Sequence, residues 1–221
     1  MHRVEHVMGF PVSLRVDDEH VGEETADAVF AWLREVDARF SPFRADSEVC
    51  RLDRGEIARR DVSAGLDEVL ALCEEYRLAT GGAFDVRLPG RGLDLCAVVK
   101  GWSVQRAAEL LRAADARRFV LNAGGDVVAS GGAWRVGVRE LCTVLELTEG
   151  AVATSARYER GDHVVDGRTG RPATGLLSLS VVAFSLTLAD REGCEVFAVD
   201  AGRNVMRTEG FPTVPAEAQA A

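Results

Sequence analysis

The sequence has little of several features that define common protein classes. No apolar run among its 221 residues approaches the length that spans a bilayer, so no transmembrane segment is expected. The opening M-H-R-V-E-H-V-M-G-F has no apolar core and no small-residue cleavage site, which predicts a cytoplasmic protein without a secretion signal. Positive charge is in deficit, since the formal net charge is −9, and this argues against nucleic acid or an anionic membrane as a partner.

Cysteine and histidine are scarce and scattered. No two cysteines form a C-x-x-C pair, which predicts reduced structural thiols rather than a disulfide framework or a zinc site. Only four histidines are present, which argues against a histidine-based zinc site. The sequence also lacks the G-x-G-x-x-G of a dinucleotide fold, the G-K-[ST] of a P-loop and the G-x-S-x-G of a hydrolase.

Apolar spacing predicts helices in the first half of the chain and strands in the second. Three helices are expected, over 23–39, from the N-cap Ser63 to Gly81-Gly82, and from Ser103 to about Ala114. Strands are expected at 12–16, 119–122, 134–138, 143–147, 151–154, 163–166, 179–184 and 195–200. This order predicts one α+β domain over residues 1–211 with a largely antiparallel sheet, followed by a disordered tail at 212–221.

Two segments contain residues suited to a phosphate. In L-D-L-C-A-V-V-K-G-W-S-V (93–104), Lys100 and Gly101 are predicted to stand directly before a helix N-terminus, where free backbone N–H groups and a lysine favour an anion. A solvated lysine at a loop–helix junction is the alternative. In V-L-N-A-G-G-D (120–126), paired glycines let the backbone approach a ligand, although a G-G hairpin turn explains them equally well.

Two further segments concentrate polar groups. T-G-G-A-F-D (80–85) is explained either as a ligand loop or as a helix C-cap and turn. E-R-G-D-H-V-V-D-G-R-T-G-R-P (159–172) places His163 on a strand and follows Asp166 with a turn that presents the Thr169 hydroxyl. The arginines around it indicate an anionic ligand or a solvated charged face. From the residues alone, a phosphate-bearing ligand with a divalent cation is expected near Lys100 and His163.

The residues of these segments and their order along the chain resemble those of the ApbE family, the FAD:protein FMN transferases. Near the start, M-G-F resembles the family's M-G-T, F-S-P-F-R-A-D-S-E-V resembles F-S-x-Y-R-x-D-S-E-[LI], and G-G-A-F-D contains G-A-F-D. D-L-C-A-V-V-K-G-W-S-V stands where the family has D-L-G-G-I-A-K-G-Y-A-V. N-A-G-G-D, A-T-S-A-R-Y-E-R-G-D-H-V-V-D and R-T-G-R-P follow in the family's order. The resemblance runs nearly end to end and implies a T-fold-like α+β flavin transferase domain.

The resemblance also implies FAD as the substrate and Mg²⁺ as the cofactor. Such enzymes move FMN from FAD onto a Thr or Ser hydroxyl of an acceptor protein and release AMP, and some instead hydrolyse FAD to FMN and AMP. The implied flavin contacts are Met8, Phe43, Ala83, Phe84, Asp85, Asp94 and Lys100. The implied metal contacts are the backbone carbonyl of Ala97 and the carboxylate of Asp190, and the implied base is His163.

The sequence departs from the family pattern after Asp190. Four positions later it has Cys194 where the family has Thr, and no helical pattern precedes the strand E-V-F-A-V-D. Gly167 also stands where the family has Pro. Because a thiol is a poor ligand for Mg²⁺, a weak or water-completed metal site is expected. The expected function is the transferase, with an FAD diphosphatase or a flavin-binding carrier of little activity as alternatives.

Overall fold

The chain folds around one large antiparallel sheet. The structure, a computed structural model, describes residues 1–88, 90–138, 143–156, 164–183, 185–186 and 194–212. Numbered along the chain, the strands of this sheet lie side by side as β1 (His2–Val7), β2 (Phe10–Val16), β3 (Phe119–Ala123), β4 (Asp126–Ser130), β7 (Gly150–Ala156), β10 (Leu176–Ala183), β11 (Glu195–Asp200) and β12 (Val205–Arg207). Two separate pairs are β5 (Trp134–Val138) with β6 (Thr143–Leu147), and β8 (Val165–Asp166) with β9 (Arg171–Pro172).

Every strand pairing in the described ranges is antiparallel, which confirms the predicted type of sheet. The α-helices are α1 (Glu23–Phe40), α2 (Glu48–Asp53), α3 (Ala64–Ala79) and α4 (Cys96–Ala113). The predictions for α1 and α3 are confirmed. The Ser63 hydroxyl accepts from the Leu66 N–H at 3.2 Å, so it caps α3 as expected. Gly81 and Gly82, with φ of 58° and 83°, end the helix in the left-handed conformation.

The predicted start of the third helix is wrong, because α4 begins at Cys96 rather than at Ser103. Its first turns are held by packing: Val98 and Val99 are buried, and a Cβ at Gly101 would lie 3.2 Å from the Leu186 carbonyl. β-Branched valines and a glycine are weak helix formers, so local propensity concealed these turns. Lys100 and Gly101 consequently lie inside the helix, not before it.

The sheet is covered on both faces. Helices α1 and α4 pack on one face, where Phe30, Leu111 and Val128 belong to the main apolar cluster. The β5–β6 hairpin adds Trp134 and Leu145 to a cluster that includes Ala129 of the central strand β4. Because neighbouring residues of a strand point to opposite faces, β4 contributes to both clusters. A third cluster joins α1, α3 and the start of α4.

The strands β1, β4, β9 and β12 and the helix α2 were not predicted from the sequence. Strand β4 pairs with β3 across Gly124-Gly125, so the hairpin alternative for the paired glycines is correct. The described part of the predicted strand 163–166 is β8, and the predicted tail falls outside the described residues except for residue 212. In the part of the chain that the structure describes, no helix has the length and apolar character that a membrane crossing requires.

Candidate functional site

Lys100 is the only lysine in the sequence and lies in the second turn of α4. Its Nζ donates to the Gly124 carbonyl at 3.0 Å and forms an ion pair with the Asp126 carboxylate at 3.2 Å. The ammonium is also 5.3 Å from the centre of the Phe10 ring, within the range of a cation–π contact. An ammonium has three N–H donors, so the hydrogen bond to Gly124 leaves donors with which Lys100 can bind a ligand.

Two tight turns bring backbone close to this lysine. Met8-Gly9 joins β1 to β2 with φ of 58° and 81°, and Gly124-Gly125 joins β3 to β4 with φ of 53° and 93°. Positive φ at both central residues is typical of the type I′ turn of a two-residue hairpin. Val12 of β2 pairs with Ala123 of β3, so both turns lie at the same end of the sheet.

Side-chain contacts connect the two turns with α4. The Ser103 hydroxyl, one turn after Lys100, contacts the Met8 sulfur at 3.8 Å. A Cβ on Gly124 would lie 3.0 Å from the Phe10 ring, closer than real Cβ atoms normally come to a neighbour. Glycine is therefore required at Gly124 both by its positive φ and by the ring that flanks the ammonium.

The start of α4 is capped rather than open. Asp94 Oδ1 accepts the Cys96 N–H at 2.9 Å, and the Val98 N–H binds the Leu95 carbonyl at 3.0 Å. Among the N–H groups of this first turn, that of Ala97 has no acceptor in the described residues. Most of the N–H groups that were predicted to be free next to Lys100 therefore have acceptors. The main evidence for an anion site is the lysine itself. The helix dipole still favours negative charge here.

The loop after α3 is held by local contacts. The Phe84 N–H donates to the Thr80 hydroxyl at 3.0 Å, and the Phe84 ring meets Tyr76 edge-on with centroids 6.1 Å apart. Asp85 Oδ1 accepts the Arg87 N–H at 2.8 Å. The segment 80–85 is therefore both the end of a helix and an ordered loop. It continues through residue 86, whose carbonyl accepts the N–H of residue 94 at 3.0 Å, so the loop is joined to the start of α4.

The D-G-R-T-G turn packs directly on this loop. The Gly167 N–H donates to the Ala83 carbonyl at 2.8 Å. A Cβ at Gly167 would lie 2.6 Å from the Gly82 carbonyl oxygen and 2.7 Å from the Asp85 Cβ. The absence of a side chain at Gly167 therefore permits the close approach of the D-G-R-T-G turn and the loop at 82–85, which are far apart in the sequence.

Charges within the D-G-R-T-G turn are paired locally. Arg168 forms an ion pair with Asp166 at 2.7 Å, and this hydrogen-bonded guanidinium holds the pKa of the Asp166 carboxyl below its usual value. The Thr169 hydroxyl accepts the Arg171 N–H at 3.3 Å. Arg168 thus contributes little free positive charge to an anionic ligand. The other arginines of this segment's predicted basic cluster are Arg171, Arg157 and Arg160, and the last two lie outside the described residues.

Phe43, one of the flavin contacts that the resemblance implies, lies at the surface. It lies between α1 and α2 and is 91% exposed, more than any other large apolar side chain in the described ranges. Its backbone N–H donates to the Ser41 hydroxyl at 3.3 Å. In the described ranges its ring makes no ring-stacking or cation–π contact, so it is open to a planar ligand.

His163 and Asp190 lie outside the described residues. The chain beside each of them is described: β8 begins at Val165, two residues after His163, and Leu186 lies against Gly101 of α4, four residues before Asp190. Within the described ranges, no group of three or more His, Cys, Asp or Glu side chains is placed to hold a metal ion.

A buried polar network behind Lys100 was missed by the sequence analysis. Asp126 is only 7% exposed, and its Oδ1 accepts the Thr154 N–H at 3.4 Å. The Thr154 and Ser180 hydroxyls are 2.9 Å apart and hydrogen-bonded. The available signal was the aspartate of N-A-G-G-D, but a sequence does not distinguish a buried carboxylate from one at a solvated turn.

The chain is similar to known proteins over most of its length. The model of the ApbE family matches residues 8–89 and 87–211. The FAD:protein FMN transferase of Rhodobacter capsulatus is 31% identical over 180 residues, covering 73% of this chain and 32% of that protein. The FAD:protein FMN transferase of Vibrio cholerae is 24% identical over 163 residues, covering 63% of this chain and 49% of that protein. The chain therefore spans about a third and about half of the lengths of these two relatives.

Solved structures share the fold. The flavin transferase ApbE from Vibrio cholerae has a TM-score of 0.79 at 18% identity, covering 96% of this chain and 97% of that chain. The ApbE protein from Thermotoga maritima has a TM-score of 0.80 at 21% identity, covering 96% of this chain and 97% of that chain. At these identities the likeness concerns the fold alone, and it confirms the predicted α+β class.

Proposed function

Because this chain belongs to the ApbE family, we propose that it is an FAD:protein FMN transferase, which moves FMN from FAD onto a Thr or Ser hydroxyl of an acceptor protein and releases AMP. The observation that carries the proposal is the position of the single lysine. Its ammonium is held where two glycine turns and the beginning of α4 meet at one end of the sheet. FAD and the acceptor protein are the proposed partners.

The surroundings of Lys100 suit a diphosphate. Phosphoryl transfer depends more on neutralising and positioning charge than on covalent help from the protein. Lys100 supplies a partly exposed cation, and the dipole of α4 supplies partial positive charge at the same place. We assign the diphosphate of FAD to the space in front of Lys100 and Ala97, with Asp94 at its edge.

Apolar and aromatic side chains are available to contact the flavin. Met8 lies on a turn that contacts α4, and Phe84 is half-buried on the loop joined to Asp94. Aromatic rings prefer offset or edge contacts with planar ligands, and the exposed ring of Phe43 can supply one without rearranging a core. We assign Met8, Phe43 and the loop Ala83–Phe84–Asp85 to the flavin.

His163 is the proposed base. A neutral imidazole, with a reference pKa near 6.5, can accept a hydroxyl proton at neutral pH. Two flanking points support the proposal: β7 ends at Ala156, at the end of the sheet that carries Gly124, and Gly167, which follows β8, donates to the Ala83 carbonyl. His163 belongs to the segment between these two points.

Mg²⁺ is the proposed cofactor, with the Ala97 carbonyl and the Asp190 carboxylate as protein ligands. Both are the hard oxygen donors that Mg²⁺ prefers, and when bound the ion would neutralise diphosphate charge. The N-terminus of a helix attracts anions rather than cations, so we expect Mg²⁺ to bind together with FAD and only weakly alone. Cys194, in place of the family's Thr, adds no hard oxygen to this set.

The proposal is tested by incubating the purified chain with FAD and Mg²⁺, with and without an acceptor domain that carries a flavinylation site. We expect AMP release and covalent flavin only when the acceptor is present. AMP release without the acceptor would indicate a diphosphatase, and bound FAD without AMP would indicate a carrier.

Three variants assign the roles. Lys100→Met removes a charge-assisted contact, so FAD affinity should fall roughly ten- to a hundredfold. Arg106→Met is the matched control, because Arg106 is a cation of the same helix that is paired with Glu68 at 2.7 Å on the exposed surface, and its FAD affinity should equal that of the wild type. His163→Ala should lower turnover by about two to four decades while leaving FAD binding intact. Normal turnover of this variant would contradict the assigned base.

A further inference from the structure

We propose that Asp126 is a positioning residue, which holds the Lys100 ammonium in the orientation that meets the diphosphate. It would set FAD affinity and turnover through the lysine, without touching FAD. The inference rests on the proposed function and adds a residue to its machinery. The observation behind it is the 3.2 Å ion pair between Lys100 Nζ and Asp126 Oδ2.

The lysine needs such a partner because its side chain is long and flexible. A free lysine side chain carries about 2 kcal/mol of rotamer entropy, part of which is lost when it binds a ligand. Two residues of one rigid hairpin hold the ammonium: Gly124 accepts a hydrogen bond from it, and Asp126 pairs with its charge. The Phe10 ring lies on a further side of the ammonium. Fixing the ammonium before the ligand arrives lowers the entropic cost of binding.

Asp126 can fix the lysine because it is fixed itself. Its carboxylate is buried, and its second oxygen accepts the Thr154 N–H at 3.4 Å. Thr154 is in turn hydrogen-bonded to Ser180 on the next strand at 2.9 Å. The helix that carries Lys100 is thereby connected to β4, β7 and β10 at the end of the sheet from which the chain continues to His163.

A second effect of Asp126 acts in the opposite direction. Its negative charge offsets that of Lys100 and would repel a diphosphate. The exposures of the two side chains decide between the effects: the carboxylate is 11% exposed and turned inward, whereas the lysine side chain is 23% exposed. Because the lysine side chain is the more accessible of the two, we expect positioning to outweigh repulsion.

The test compares Asp126→Asn with the wild type in FAD affinity and in turnover. The asparagine keeps the size of the side chain and removes its charge, and we expect about tenfold weaker FAD binding. Ser130→Ala is the matched control, since Ser130 is a buried polar residue at the other end of β4 that donates to Glu149 at 2.8 Å. It should bind FAD like the wild type. Unchanged or tighter FAD binding by Asp126→Asn would overturn the proposal.

A double-mutant comparison separates positioning from a general effect on the fold. In the Lys100→Met background, the additional change Asp126→Asn should leave FAD affinity unaltered, because the lysine through which it acts is absent. A further loss of affinity in the double variant would overturn the proposal. This comparison remains available if Asp126→Asn alone does not fold, since removing both members of a buried ion pair is tolerated better than removing one.

The single lysine permits a readout that needs no FAD. Acylation of Lys100 by an amine reagent can be followed by mass spectrometry, because no other side-chain amine exists in the sequence. We expect faster acylation in Asp126→Asn than in the wild type or Ser130→Ala, since the amine loses the partner that holds it. Equal rates would overturn the proposal. A wild-type chain that binds no FAD would instead refute the proposed function, and the acylation result would still stand.

Discussion

Replacing Gly167 with alanine tests the contact between the D-G-R-T-G turn and the loop at 83–85. The added Cβ would be placed 2.6 Å from the Gly82 carbonyl oxygen, 2.7 Å from the Asp85 Cβ and 3.1 Å from the Asp85 N. None of these atoms is the free end of a flexible side chain. The turn and the loop would therefore have to separate.

The separation has a calculable cost. Forcing an extra methyl group into a closely packed site typically destabilises a protein by about 1–3 kcal/mol. The 2.8 Å hydrogen bond from Gly167 to Ala83 would be stretched at the same time, and such a bond contributes about 0.5–1.5 kcal/mol. We therefore expect a loss of about 2 kcal/mol in the free energy of unfolding, or roughly 4–8 °C in Tm for a chain of this size. FAD affinity should fall as well, because the loop contains Phe84 and Asp85.

The assay is urea unfolding together with an FAD titration, with Gly175→Ala as the matched control. Gly175 has open space around its Cβ position and an ordinary φ, so alanine there should be neutral or stabilise the fold by up to about 1 kcal/mol. If both variants matched in stability and in FAD affinity, the packing of the turn on the loop would be refuted.

Three further predictions concern stability and the metal. Burial raises the pKa of the Cys73 thiol from 9.0 to about 12. Because only the unfolded chain releases this proton between these values, the contribution of the buried thiol to the free energy of unfolding is present below pH 9 and is lost by about 1.4 kcal/mol per pH unit as the pH rises towards 12. Unfolding measurements on Cys73→Ala should lack this pH-dependent loss of stability. Ser63→Ala should cost about 1 kcal/mol through loss of the α3 cap, and Ser63→Thr should restore most of it in the same unfolding assay. Gly101→Ala should gain about 1 kcal/mol from the higher helix propensity of alanine, but the new Cβ would lie 3.2 Å from the Leu186 carbonyl and this crowding should cancel the gain. We therefore expect unchanged stability and, because Leu186 precedes Asp190 by four residues, reduced Mg²⁺-dependent turnover. A full gain in stability with normal turnover would contradict the contact with Leu186.

Helices with a clear apolar stripe and a polar cap could be predicted from the sequence, and helices held by tertiary packing could not. Helix α1 shows the stripe, and α3 adds the hydroxyl of Ser63. The first turns of α4 contain Val98, Val99 and Gly101, whose local preference is against a helix, and burial overrides that preference. The edge strand β12 is exposed at all three residues, so no apolar alternation revealed it.

The candidate site was likewise predictable where it depends on local sequence and unpredictable where it depends on tertiary packing. The motifs identified Lys100 and the two glycine-rich segments because residue types and spacing are local information. The Asp126–Lys100 ion pair and the contact of Gly167 with Ala83 join segments far apart in the chain, and only the order of the strands and the end of α3 bring them together. The predicted free N–H groups beside Lys100 were wrong for the same reason as the start of α4, since that prediction used the wrong helix boundary.

The register of the sheet, together with the proposed roles of Lys100 and His163, leads us to expect that FAD binding and turnover are separable. Val12 pairs with Ala123 and Val127 with Val152, so the turn at Met8, the hairpin that holds Lys100 and the end of β7 form one rigid group. A register slip of one residue would turn every side chain in these strands to the other face, so this arrangement is strongly specified. His163 follows β7 in the sequence and is proposed to act on the acceptor hydroxyl rather than to bind FAD. Substitutions at Lys100 should therefore change FAD affinity, whereas substitutions at His163 should change turnover with little effect on affinity.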